Sequence, residues 1–347
     1  MIIDKRFIVF GAAVASIGYA NFFYMLVASS SCNHESKALR SSTAKPSRPV
    51  KESVAVLISG QCHRFIYRDQ PGPLFTFSQT SAKPKIDVYI ALQCGRKINP
   101  LFGDNDTPPY MEKLNITDIR HWYLEKGASN VTVKVIGIET LNQMVDEITA
   151  QTTTVYNTKD GFDLADMVHW HGRWGIEVRK FYLRNFAFLK AQKTQMYSGY
   201  VYWREDNYFF LPLDLDETLF SMNVTTQDQP FVIVDKGCEF ASYSDKMYVA
   251  NHAGAAILFG STYAEFIERM KRFVLFAMYR KNCSSEMWQP EAFVHDSLST
   301  AVVERAELSR MDVRYNEGKR CIPTAYYHCM PEETKTMARE HDLAVCW

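Results

Sequence analysis

Excess charge is missing from this sequence. Lys and Arg together number 39 and Asp and Glu number 39, so the formal net charge is zero. No basic run or stripe breaks that balance, and a phosphate backbone is held by concentrated Lys and Arg, so nucleic acid is excluded as the partner. The short signatures of several enzyme classes are missing too. There is no GxSxG elbow, no GxxxxGK[ST] phosphate loop, no GxGxxG turn and no HExxH pair. Eight cysteines occur without a CxxC spacing, an even set that suits disulfides in an oxidising compartment better than zinc. Internal repeats are absent as well.

What is present is material for a core. Of 347 residues, 47% are hydrophobic and 14% aromatic, which places the chain well outside the disordered class. Residues 7–27, FIVFGAAVASIGYANFFYMLV, carry no charge, and a bilayer core needs about 20 apolar residues as helix. Lys5 and Arg6 precede this run, so the positive-inside bias keeps residues 1–6 cytosolic and sends the rest across. A cleaved signal peptide with small residues at 28–31 is the alternative, but its apolar region spans only about 7–15 residues, so the length favours a retained anchor. Five N-x-S/T sequons, at Asn105, Asn115, Asn130, Asn223 and Asn282, agree with an exoplasmic location, although Pro108 makes the first a poor acceptor.

Residues 28–52 are rich in Ser, Lys, Arg and Pro, bury little, and read as a flexible stem. The domain that follows, 53–347, opens on the apolar run VAVLISG, expected to be a strand buried on both faces. IDVYIAL (86–92), VTVKVIGI (131–138), YVYW (200–203), FVIV (231–234) and AAILFG (255–260) are further strand candidates. Between them lie amphipathic helices. One carries Leu141, Met144, Val145 and Ile148 after a capping box of Thr140 and Gln143. Another, 176–193, puts Val178, Phe181, Tyr182, Phe186 and Leu189 on one side and Arg and Lys on the other. A third follows a cap of Thr262 and Glu265, and a last begins at Pro290. Buried strands alternating with amphipathic helices argue for an α/β domain with a mainly parallel central sheet, whose ligands bind beyond the carboxyl ends of the strands.

One stretch stands out at such an end. YVYWREDNYFFLPLDL (200–215) sets Arg204, Glu205 and Asp206 between two hydrophobic runs, where desolvating charge is expensive unless something pairs with it. LISGQCHRF, then a strand opening on Asp, then YVYWREDNYFFLPLDL, then Ser-Asp-Lys (244–246), AGAAILFG and Pro-Glu (290–291) follow in a familiar order. Over residues 53–316 this order resembles the lumenal GT-A-fold glycosyltransferases that use nucleotide sugars and are built as type II Golgi or ER membrane proteins.

The resemblance implies a nucleotide-sugar donor, a glycan or glycoconjugate acceptor, and Mn²⁺ or Mg²⁺ bridging the diphosphate through an Asp-x-Asp at a strand end. Asp206 stands where the last Asp of that motif belongs, with Glu205 beside it as a second metal candidate. Arg204 replaces the first Asp, a departure that puts metal dependence in doubt. An Arg there contacts phosphate directly or pairs with Asp206; a plain ion pair at a strand end is the bland alternative. Gly60, Gln61, Arg64 and Asp87 are implied on the donor and nucleotide side with Arg204. Ser244, Asp245 and Lys246 are implied on the acceptor side. Glu291 and His295, at i and i+4, are the candidates for the base that deprotonates the acceptor hydroxyl. Two further readings stay open: a catalytically silent GT-A-like protein that binds carbohydrate or a partner, and a zinc site on His169 and His171 with Asp163 or Asp166, if that stretch is an extended loop.

Overall fold

The computed structural model describes residues 53–70, 73–76, 84–95, 114–155, 164–214, 229–236, 246–268, 294, 297–306, 310–316 and 319–346. The anchor and stem expected over 1–52 lie outside these. Among the described residues no helix is long and apolar enough to cross a membrane. Pro49–Trp347 form one compact unit.

Its elements are β1 (Ser53–Gln61), β2 (Phe75–Thr76), β3 (Lys85–Cys94), α1 (Ile116–Glu125), β4 (Asn130–Gly137), α2 (Ile138–Val155) and α3 (Leu164–Thr194). Next come β5 (Gly199–Arg204), β6 (Asn207–Phe209), β7 (Leu213–Asp214), β8 (Phe231–Asp235), β9 (Met247–Ala250) and α4 (His252–Ala255). The chain ends with β10 (Val302–Ala306), β11 (Arg310–Asp312), β12 (Arg314–Asn316), β13 (Lys319–Pro323), α5 (Thr324–Cys329), α6 (Glu332–Glu340) and β14 (Ala344–Cys346).

Seven strands form the central sheet in the order β10-β8-β9-β5-β1-β3-β4. All neighbours pair in parallel except β9, which is antiparallel to both β5 and β8. The expected mixed α/β class with a mainly parallel sheet is what the chain adopts. β1 sits at the centre, between β5 and β3. Val54, Val56 and Ile58 face one layer and Ala55 and Leu57 the other, all fully buried, which is why its sequence is continuously apolar rather than alternating. Each large side chain buried there contributes about 1.5–3 kcal/mol. α1 covers the Val54–Val56–Ile58 face with Phe65 and Tyr67; α2 and α3 cover the Ala55–Leu57 face together with the helix after β9.

Four local expectations fail for physical reasons. AAILFG is helix, not strand. The Asn251 side chain caps α4 by accepting from the Gly254 N–H at 2.8 Å, and it also accepts from Phe231 N–H at 3.1 Å. α4 then runs through a π turn (Ala256–Ser261) into a helical stretch over 262–268, with the Thr262 hydroxyl donating back to the Ile257 carbonyl. Thr262 therefore lies inside a helix and does not start one. α2 likewise begins at Ile138, directly on the end of β4, so Thr140 falls inside its first turn; the Gln143 amide donates to Glu147 at 3.2 Å instead of closing a capping box. α3 starts at Leu164, well before the expected 176, and absorbs residues 169–171. That removes the extended backbone the zinc reading required.

The last helix, expected from Pro290, has its start outside the described residues; the Leu298 N–H bonds the Val294 carbonyl at 3.0 Å in helical fashion. A third apolar cluster, of Ile66, Tyr208, Phe210, Val313, Ile322, Ala338 and Leu343, joins the C-terminal elements to β6. Two disulfides close, Cys62–Cys94 and Cys321–Cys346, as the cysteine pattern suggested. Cys32, Cys238 and Cys283 lie outside the described residues.

Candidate functional site

The carboxyl rim of the sheet is where the charges gather. β1 and β5 run in parallel register, with Ser59 beside Arg204, so Gly60 and Gln61 emerge next to the turn at Glu205–Asp206. β9 returns on the other side of β5, bringing Lys246 alongside. Arg204 N–H donates to the Lys246 carbonyl at 3.1 Å, and the Asn207 amide reaches the same oxygen at 3.2 Å.

That turn has no Gly or Pro, yet it is buried: Arg204, Glu205, Asp206 and Asn207 are all 7% exposed or less. Burying a turn requires partners for its carbonyls. Two separate segments, the stretch after β1 and the one after β11, supply them. Ile66 N–H donates to the Glu205 carbonyl at 3.2 Å and Val313 N–H to the Asp206 carbonyl at 2.9 Å. The Gln70 amide donates to the Asn207 carbonyl at 2.7 Å while its oxygen accepts from Phe209 N–H at 3.0 Å, completing the pairing a strand neighbour would give. The charged motif is thus held by two backbone N–H groups and one side-chain amide from elsewhere in the chain.

Its side chains are held by one another. The Arg204 guanidinium donates to Asp206 Oδ2 at 2.5 Å in a buried ion pair. Glu205 turns toward β1. Its carboxylate lies where a Cβ on Gly60 would be, and Gly60 has φ of +154°, a conformation that suits glycine. Burial pushes the Glu205 carboxyl above its ordinary value, with the neighbouring Asp206 adding to that; Arg204, Arg64 and the Gln61 N–H pull the other way. Gln61 Oε1 is buried without a hydrogen-bond partner. Lys246 is buried too, its ammonium 5.4 Å from the centre of the Tyr326 ring.

Of the residues expected at the site, the fold brings Gly60, Gln61, Arg64, Arg204, Glu205, Asp206 and Lys246 together on this rim. Asp87 is not among them. It lies at the start of β3, beside Ala55, at the opposite end of the sheet. There its Oδ2 accepts from Tyr197 Oη at 2.7 Å and meets Lys85 Nζ at 3.0 Å, a buried structural role. Strand polarity is the reason: a residue that opens a parallel strand faces the amino rim. Ser244, Asp245, Glu291 and His295 lie outside the described residues.

Sequence reasoning missed Arg184. On α3 it was grouped with the solvent-facing Arg and Lys, yet it is 2% exposed. Its Nε donates to Tyr202 Oη at 2.9 Å, and its guanidinium lies 4.8 Å from the Tyr202 ring centre; Tyr202 Oη in turn meets Ser59 Oγ at 3.2 Å beside Gly60. The spacing Phe181–Arg184–Phe188, which places Arg184 on the apolar stripe of its helix, was the available signal.

Among the described residues no cluster of three or more His, Cys, Asp and Glu side chains is placed to hold a metal ion. The acidic pair on the rim also shares it with three cations, Arg64, Arg204 and Lys246, and Asp206 is engaged by Arg204. This donor set does not fit a resident divalent cation. It fits an anion better.

Fold and rim together define a mixed α/β protein with a buried charged cluster at the carboxyl ends of its central parallel strands. No protein-family model matches the chain, and no curated protein matches it. Among solved structures it is similar to the apo form of mouse xyloside xylosyltransferase 1, with 7% identity, a TM-score of 0.38, and coverage of 74% of this chain and 85% of that one. A likeness of that size fixes neither the family nor the activity of this chain.

Proposed function

We propose that the chain is a glycosyltransferase of the GT-A kind, anchored by residues 7–27 with residues 53–347 in the Golgi or ER lumen. It moves a sugar from a nucleotide donor to an acceptor hydroxyl on a glycan. The observation that carries this reading is the rim cluster, in which Arg64 and Arg204 act on the Glu205 carboxyl, Arg204 pairs with Asp206, and Lys246 is buried alongside. In α/β sheets this is where ligands bind, and positive side chains there can offset the charge of a departing diphosphate.

In the proposed reaction the bond between the anomeric carbon and the diphosphate oxygen breaks, and a bond from that carbon to the acceptor oxygen forms. The acceptor proton goes to a base, for which Glu291 and His295 are the candidates. Arg64 and Arg204 face the phosphates of the nucleotide, Gly60 leaves the space that the Glu205 carboxylate fills beside them, and Asp206 holds the Arg204 guanidinium in place. No step is derived through Mn²⁺ or Mg²⁺, because the donor set falls short of a metal cage; a cation enters as an arm of the tests.

One observation favours a second reading. Arg204 stands where the acidic motif should begin and engages its last carboxylate, which suits a silent GT-A-like protein that binds carbohydrate or a partner. A transfer assay separates the two. The detergent-purified full chain is incubated with UDP-, GDP- and CMP-sugars and pooled glycan acceptors, with and without Mn²⁺, and products are read by mass. Acceptor mass increase with nucleotide release, lost in Glu291→Gln, supports the enzyme. Absence of both with every donor supports the binding protein.

A further inference from the structure

β4 bounds one side of the central sheet: β3 pairs with it, and among the described residues no strand pairs with its other side. An open strand edge is a template for another chain, and proteins keep such edges short, charged or covered. β4 is eight residues long, NVTVKVIG, rich in β-branched side chains and charged only at Lys134. That composition favours edge-to-edge pairing.

Its first residue opens a sequon, Asn130-Val131-Thr132. Asn115 and Asn130 are the two sequon asparagines among the described residues, and both are exposed. They are not equivalent. Asn115 caps α1, its side chain accepting from Thr117 N–H at 3.0 Å. Asn130 stands at the head of the open edge. In register it lies beside Asp87, which lies beside Ala55. The charged rim begins at Gly60, five residues further along β1, or roughly 17 Å at about 3.3 Å per residue. A bulky group on Asn130 leaves that rim accessible.

We propose that Asn130 carries an N-linked glycan that covers the open edge of β4. The inference rests on the reading that residues 53–347 are lumenal. In the modification, Nδ2 of Asn130 forms a bond to the anomeric carbon of an oligosaccharide carried on a polyprenyl diphosphate. The carbon–oxygen bond to the diphosphate breaks, the polyprenyl diphosphate leaves, and the amide proton passes to a base of the transferring enzyme. The glycan's hydration and bulk then shield the side of β4 with which no described strand pairs.

The full chain is expressed in a eukaryotic secretory host as wild type, Asn130→Gln, Thr132→Ala and Thr132→Ser. Occupancy is read at each sequon by glycopeptide mass, and aggregation by light scattering of the purified proteins. The expected result is a glycan on Asn130 in wild type and Thr132→Ser. It should be lost in the other two, which aggregate at least about twofold faster. Glycans elsewhere but not on Asn130 overturn the inference and leave the lumenal reading standing. Glycans on none of the sequons overturn both. A glycan on Asn130 whose loss changes nothing in aggregation overturns its covering role.

Discussion

The Arg204 guanidinium lies 2.5 Å from Asp206 Oδ2, and the two side chains are 8% and 0% exposed. The pair stands two residues apart across the turn that ends β5, and each charge is buried against the other. Removing one partner of a buried pair costs roughly 3–5 kcal/mol. Asp206→Asn and Arg204→Met should each lower stability by about that much. Replacing both, with Arg204→Met and Asp206→Leu, should recover most of it. Denaturant unfolding of the wild type, the single variants and the double variant checks this; additive losses would remove the pair as a structural unit.

Glu205 makes a prediction about pH. Its folded value is raised, chiefly by burial, above the ordinary carboxylate value of 4.5. The folded state therefore binds the proton more tightly than the unfolded chain does. This contribution to stability is full below about pH 4.5 and fades as pH rises through the raised value. Glu205→Gln keeps the shape and removes the titration. The stability difference, variant minus wild type, should grow from acid toward neutral pH. A difference that stays flat from pH 4 to 8 would contradict the assignment.

Gly60 and Glu205 are coupled. A Cβ at residue 60 meets the Glu205 carboxylate and forces a side chain onto φ of +154°. Gly60→Ala should cost about 1–3 kcal/mol. In a Glu205→Ala background the clash is relieved and only the backbone strain remains, so the cost should shrink without vanishing. Thermal unfolding of the single and double variants measures that difference, and an unchanged cost would show that the two do not touch.

The Cys62–Cys94 bridge spans 32 residues and ties the end of β1 to the end of β3. A loop of that size contributes about 3–4 kcal/mol by constraining the unfolded chain. Cys62→Ala with Cys94→Ala should lose that much and loosen the Gln61–Arg64 segment that faces Glu205. Equal unfolding midpoints for the variant and the oxidised wild type would contradict it.

The strands of the central sheet were legible because β1, β3 and β5 are buried on both faces and read as unbroken apolar runs. β9, Met247–Ala250, is equally buried but short and was passed over, and it is the strand that turns against the rest. AAILFG was misread for the same reason that β1 was read well: a short apolar run has no period of its own, and here Asn251 decides it by capping a helix. Arg204–Asp206 stood out as a candidate site from the cost of charge between hydrophobic runs, and the fold does bury that charge. What could not be seen was how that cost is met. The bonds from Ile66, Gln70 and Val313 come from distant segments, and only the folded register brings them to one turn. Asp87 shows the converse, since a strand's polarity in the sheet decides which rim its first residue faces.

The central claim is that the rim formed by Arg64, Arg204, Lys246, Glu205 and Asp206 receives a nucleotide diphosphate. The most direct measurement is thermal unfolding of the purified full chain against UDP, GDP, CDP and ADP and their sugars, each with and without Mn²⁺. A ligand at 100 times its dissociation constant adds about 2.7 kcal/mol. The account predicts a stabilising shift with one base, retained without Mn²⁺ because side-chain cations carry the phosphate charge, and lost in the Arg204→Met, Asp206→Leu double variant. No shift with any nucleotide, or a shift that survives in the double variant, would contradict it.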